Sequence, residues 1–300
     1  MRSHRSARRA FSGFATLILL VGITVSAEAG AVTESKTLST RALMAPVGVW
    51  SGTGDHPAEF NDYTVVAVMP GAAGSQSAFF GEYVVGGECS PSEGEFGQAS
   101  MLGTAALTTD GFLIVSGDVM CADTGDLFAS VEFRFRYDAT TDTLTFYEGD
   151  GNGWVVDTNY PGPFTRKCAG ANSTLVGTSG DDILVGTSGH DVIDGLGGND
   201  TLKGKGGMDI LCGQGGRDKL VGGGDIDVLV GAGKRDRLNG GPGWDLLLGG
   251  GGPDVGNGGG GNDVLFGDAG GDNLSGGTGT DYADGGAGSD SCTAETVVSC

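Results

Sequence analysis

Residues that carry chemistry are scarce in this chain. Its 300 residues include three histidines, of which His56 and His190 are the two beyond residue 29. There is no H-E-x-x-H, so a zinc protease of that pattern is excluded. There is no G-x-S-x-G elbow, and His56 beside Asp55 has no identifiable nucleophile, which makes a poor triad. Glu148-Gly-Asp150-Gly-Asn152-Gly opens like a calcium loop, but Pro161 stands where the closing Glu belongs, so the segment reads as a hairpin turn. No long helical period appears. No catalytic residue is assigned, although Asp and Glu abound, and the inventory alone leaves room for a glycan-active enzyme built on a carboxylate pair.

Cations are also few, with 17 Lys and Arg against 38 Asp and Glu and a formal charge of −21. Four of them, Arg2, Arg5, Arg8 and Arg9, precede an apolar run around Leu17 to Val25 and then Ala27-Glu28-Ala29. That order predicts a secretory signal over residues 1–29, cleaved after Ala29. The run is short of the about 20 residues that a membrane span needs. Arg8-Arg9-Ala10-Phe11 half-matches a twin-arginine signal, so the export route stays open. Losing four Arg and one Glu takes the charge from −21 to −24. Such a chain repels nucleic acid and anionic membranes and attracts cations. The expected location is secreted and extracellular, with no membrane span after cleavage. Six cysteines, an even number in an exported chain, favour disulfides, and six allow fifteen pairings.

Glycine is what the chain has in excess, at 61 residues. Cut every nine residues from Gly177, the sequence gives thirteen gapless blocks ending at Thr293. Position one is Gly and position six is Asp in all thirteen. The aspartates are Asp182, Asp191, Asp200, Asp209, Asp218, Asp227, Asp236, Asp245, Asp254, Asp263, Asp272, Asp281 and Asp290. Position four is Gly in eleven blocks, and position eight is Leu or Ile in ten.

This pattern resembles the G-G-x-G-x-D-x-U-x nonapeptide of the repeats-in-toxin (RTX), or haemolysin-type, calcium-binding family. The resemblance implies a parallel β-roll in which each block is a Gly-rich turn followed by a short strand, and two blocks make one coil. The residues agree with it. Position eight points inward, with Leu184, Leu202, Leu220 and Leu238 on one side and Ile193, Leu211, Leu229 and Leu247 on the other. Stacked rungs bury what one repeat cannot. Each Asp then recurs along its side at the strand spacing of about 4.8 Å, where neighbouring carboxylates repel by about 1 kcal/mol in water and several times that at a protein-like dielectric. Ca²⁺, which takes six to eight oxygens in irregular shells, suits two Asp and several carbonyls better than Mg²⁺ does. Several Ca²⁺ ions are therefore the expected cofactor, the thirteen Asp their expected ligands, and folding is expected to depend on them.

Departures from the pattern mark expected weak points. Asp225 and Lys234 replace Gly at position four, and Gly256 and Ala283 stand in the core position. Arg217, Lys219, Lys234, Arg235 and Arg237 surround Asp218 and Asp236, where they either replace part of the metal or are solvated surface charges beside an ordinary site. Cys292 holds the inward position of the last block, and a bridge to Cys300 would fold Val297 and Val298 over the open end as a cap of residues 294–300. An N-terminal export signal and a capped C-terminus differ from toxins that leave through a one-step exporter.

Residues 30–45 read as a polar leader. Residues 46–168 read as an antiparallel β domain of about eight strands, barrel or sandwich, held separately from the roll over 169–293. Val131, Phe133, Phe135 and Tyr137 face one way and Glu132, Arg134 and Arg136 the other. Asp110-Gly111 reads as a tight hairpin turn. Gly48-Val49-Trp50-Ser51-Gly52 is similar to the first strand of lipocalin-like barrels. Cys89 is paired with Cys121, while Cys168 and Cys212 stay unassigned. The fold class is thus all-β. The function expected is that of a secreted calcium-binding protein with a structural, adhesion or matrix role, whose N-terminal domain meets a cell-surface or matrix component or a small ligand. The alternative is a secreted glycan-active enzyme or small-ligand carrier whose roll aids folding.

Overall fold

The computed structural model describes residues 48–53, 63–70, 76–85, 96–108, 111–121, 127–141, 143–149, 154–156, 164–166, 168 and 173–300. Residues 1–45, His56 and Cys89 lie outside the described residues, as do the side chains of Trp50 and Cys121. All the described elements are strands.

The N-terminal strands are β1 (Gly48–Thr53), β2 (Tyr63–Pro70), β3 (Gln76–Val85), β4 (Phe96–Leu107), β5 (Phe112–Cys121), β6 (Leu127–Asp138), β7 (Thr143–Gly149), β8 (Trp154–Val156) and β9 (Phe164–Arg166). Antiparallel pairing runs from β1 through to β7 in chain order, then through β9 back to β1, so eight strands close a ring. β8 pairs with β7, across the segment read as a hairpin turn. The β4–β5 turn falls where Asp110-Gly111 placed it: Thr108 N donates to Phe112 O at 2.8 Å, and Gly111 takes φ 87°. The alternation in β6 is as the sequence reads, with Phe133 and Phe135 buried and Glu132 and Arg136 exposed. Ala105, Val115 and Phe133 lie in register on one face of the sheet, with Leu113, Phe135 and Phe146. Phe135 and Phe146 meet edge-on at 5.2 Å.

From Leu175 the chain winds into a parallel β-roll. Even-numbered blocks form one sheet and odd-numbered blocks the other. Residues eighteen apart pair throughout the repeats, as in Leu184↔Leu202 and Ile193↔Leu211. Position-eight side chains of both sheets meet in a single core from Ile193 to Leu274, with Leu175 and Leu184 against one end and Cys292 against the other. Gly256 leaves no hole there. A Cβ on it would lie 3.0 Å from Leu274 Cδ2 and 3.4 Å from Leu265 Cδ2, so neighbouring leucines occupy the slot. The last coil is shortened: Thr296–Val298 pairs with Tyr282–Asp284, fourteen residues apart, and Cys292 and Cys300 form the expected disulfide.

The outer faces of the two sheets differ. In even blocks, positions five and seven carry Met208, Ile210, Ile226, Val228, Trp244 and Leu246, all buried. They form one cluster with Val49 and Ala67, and Leu102 packs on it. Ala67 and Leu102 lie in cross-strand register through position 79, and Leu102 is three residues from the inward Ala105, so the side chains of Ala67 and Leu102 point out of the ring. The β domain is therefore docked on the roll, which corrects the expectation that it is held separately. The thiols left unassigned supply a second tie: Cys168 and Cys212 form a disulfide, and Gln214 Nε2 donates to Cys168 O at 2.6 Å. Among the described residues, no helix is long and apolar enough to cross a membrane.

Candidate calcium-binding ladders

The thirteen aspartates fall into two rows, one along each edge of the roll, because the Gly-rich turns alternate sides. Asp191, Asp209, Asp227, Asp245, Asp263 and Asp281 belong to the even row, and the odd row runs from Asp182 to Asp290. Nearly all are buried. Each ladder carboxylate from Asp200 to Asp281 has two oxygens in different circumstances. Oδ1 accepts the backbone N–H of the aspartate eighteen residues earlier, at 2.8 Å for Asp200→Asp218 and 2.7 Å for Asp236→Asp254. The same bond joins each row from Asp182 or Asp191 onwards. Oδ2 of the ten residues from Asp200 to Asp281 is buried and accepts no hydrogen bond.

Glycine at position one makes room for that second oxygen. A Cβ on Gly231 would lie 2.6 Å from Asp236 Oδ2 and 2.8 Å from Gly249 O. On Gly249 it would lie 2.8 Å from Asp254 Oδ2 and 3.0 Å from Gly267 O. A carboxylate oxygen and a carbonyl of the next coil thus face one small space. Acceptors without donors, away from water, fit a cation. Among the described residues no three His, Cys, Asp or Glu side chains converge, so an ion there would complete its shell with main-chain carbonyls, the shell that Ca²⁺ accepts and Mg²⁺ resists.

Electrostatics point the same way. Burial, and then the neighbouring carboxylates Asp191 and Asp225, push Asp209 up to about 7. Burial likewise raises Asp236 to about 6 and Asp254 and Asp263 to about 7. Asp227 and Asp245 are raised well above the ordinary carboxylate value, first by burial and then by Asp245 and Asp263 respectively. An ionised ladder therefore needs a counter-charge.

The first two blocks differ from the rest. Thr178 donates to Asp182 Oδ2 through its N–H at 2.6 Å and its hydroxyl at 2.9 Å. Thr187 does the same for Asp191 at 2.6 and 3.0 Å. Thr at position two occurs only in these two blocks, a signal the consensus reading passed over. The even row is closed at both ends by protein groups too. Thr174 Oγ1 donates to Asp191 Oδ1 at 3.0 Å, and Asp281 N–H donates to Glu295 Oε2 at 2.9 Å, the cap carboxylate standing in for a next aspartate.

The cations expected to replace part of the metal make no direct hydrogen bond to these carboxylates, although the Lys234 charge opposes the rise that burial gives Asp218. Arg217, Lys219, Lys234, Arg235 and Arg237 are all exposed, and Oδ2 of both Asp218 and Asp236 stays without a hydrogen-bond partner. Arg235 Nε instead donates to Pro253 O. Asp225 and Lys234, in place of position-four glycine, adopt φ 76°, a left-handed conformation that costs an L-residue roughly 1–2 kcal/mol.

The RTX calcium-binding nonapeptide repeat family matches residues 176–211, 185–220, 221–255 and 257–292. The C-terminal part of the chain is accordingly an RTX repeat region, a calcium-binding β-roll. No curated protein matches the chain.

Proposed function

We propose that this is an exported protein whose C-terminal roll assembles around several calcium ions held by the ladder carboxylates from Asp200 to Asp281, and that it acts outside the cell as a structural, adhesion or matrix component. The observation that carries the reading is the row of buried Oδ2 atoms without partners, with a glycine carbonyl of the next coil beside the same small space at Asp200, Asp209, Asp236, Asp254, Asp263 and Asp272. Asp182 and Asp191 play a different part, since Thr178 and Thr187 already satisfy them. Export is supported by the order of charge and hydropathy in residues 1–29. It is also in keeping with two disulfides, which persist in oxidising compartments, where calcium is available at the millimolar level that modules with dissociation constants near ~10⁻⁴ to 10⁻³ M require.

A calcium titration of the chain from residue 30, followed by far-ultraviolet circular dichroism with magnesium as control, tests the reading. The expected result is a cooperative gain of β signal in millimolar calcium that magnesium does not reproduce. A β spectrum indifferent to chelator and to calcium would sink it.

A further inference from the structure

The odd sheet turns to solvent a face unlike the rest of this acidic molecule. Lys219 and Arg237 stand side by side in parallel register, with Thr201 beyond Lys219. Lys203, two residues from Thr201, lies on the same outer face, and Arg217 sits at the turn leading into the Lys219 strand. All four cations are exposed. Blocks three, five, seven and nine contain no carboxylate except their ladder aspartates, which are buried. The carboxylate bordering this region, Asp181, is engaged by the N–H and side-chain amide of Asn199 at 2.7 and 3.1 Å.

Like charges directly opposite on neighbouring strands are destabilising, and a chain with 38 acidic residues places no counter-charge between these two. With calcium in the ladder beneath, the buried carboxylates are neutralised and the face is positive. The same face continues without charge: Asn257 Nδ2 donates to Asn239 Oδ1 at 2.7 Å, and Ser275 follows in register. Odd blocks contain no aromatic residue, so the stacking platform that single-stranded nucleic acid needs is lacking.

We propose that the outer face of the odd sheet binds an acidic polysaccharide, the four cations pairing with its sulfate or carboxylate groups and the Asn/Ser row hydrogen-bonding its hydroxyls. This rests on the reading above in one respect, that calcium is what folds the roll.

The test is chromatography of the chain from residue 30 on immobilised heparin in millimolar calcium, with circular dichroism recorded on the same sample. We expect retention that salt reverses, and a fall of roughly tenfold or more in affinity for K203Q/R217Q/K219Q/R237Q, since each exposed pair contributes a modest share. The barrel variant R134Q/R136Q should bind as the parent does. A folded parent that passes through unretained overturns the proposal, as does a fourfold variant retained like the parent. Equal retention on immobilised duplex DNA overturns the choice of partner. If the fourfold variant fails to fold, the single reversal Lys219→Glu takes its place, with weakened retention expected and unchanged retention contradicting. A roll that keeps its β spectrum in chelator and still binds heparin would overturn calcium-dependent folding and leave the polysaccharide site standing.

Discussion

The backbone N–H of Asp227 donates to Oδ1 of Asp245 at 2.8 Å, while Oδ2 of Asp245 has no partner. One oxygen of the carboxylate thus splices two coils, and the other is the one that the calcium reading assigns to the ion. The two duties can be separated by substitution. Asp245→Asn keeps an acceptor for Asp227 and removes the charge. It should lower calcium affinity on the order of tenfold, the size expected for losing one close charge in a partly screened site, and leave the roll more ordered than the parent in chelator. Asp245→Ala also removes the splice and should destabilise the roll by about 1–3 kcal/mol under both conditions. Isothermal calorimetry and denaturant unfolding, with and without calcium, read the difference. Equal behaviour of the two variants would mean that the oxygens are not divided in this way.

Thr178 and Thr187 give the carboxylates of the first coil hydrogen-bond donors that the later coils lack. The pair Thr178→Val and Thr187→Val removes two hydroxyl donors from buried or half-buried carboxylates. It should cost about 1–3 kcal/mol per site when calcium is chelated and should raise the number of bound ions when it is not. Hydrogen exchange of residues 175–194 in chelator reads the first effect, and equilibrium dialysis the second. Unchanged protection would show that the first coil has no order of its own to lose.

The pH response should reverse sign with calcium. Without it, Asp209, Asp236, Asp254 and Asp263 have folded-state values raised to about 6 or 7 from 3.8. A folded state that binds more protons than the unfolded one gains stability as pH falls through that window. In chelator, β signal should therefore appear as pH is lowered from about 7 towards 4. In calcium, protons compete with the ion, so the calcium midpoint should rise over the same range. A midpoint indifferent to pH would contradict ligation by these carboxylates.

Reduction should separate the two parts before either unfolds. The Cys168–Cys212 disulfide spans 44 residues, worth about 4 kcal/mol at most on the chain-entropy estimate. Cys212→Ser with Cys168→Ser should lower the unfolding midpoint and split a single thermal transition into two. A single transition at the parent's midpoint would mean that the apolar contact alone holds the parts together.

Much of this was legible in advance, because the roll is nearly one-dimensional. Phase-locked Asp and Leu fix register, core and rows in a single reading, and Cys292 in a core position points to its own cap. The alternation around Phe133 and Phe135 gave the face of β6. What escaped needs three dimensions or a longer period. Thr187 meets Asp191 Oδ2 only after the turn closes. The docking face is written at a spacing of eighteen, in Val192, Ile210, Val228, Leu246 and Val264, and a nine-residue consensus averages it with Lys219 and Arg237. Cys212 lies on that face, and without the docking there was no reason to aim it at Cys168.

The alternation of an apolar and a polar outer face has a consequence for how this chain can change length. Deleting one nonapeptide would preserve the turn, the inward leucine and the ladder aspartate, yet every block downstream would change sheets. Val228 and Leu246 would then turn to water while Lys219 or Arg237 took places under the β domain. Gains and losses of repeats in close relatives of this molecule should therefore come in eighteens, even though its consensus counts in nines.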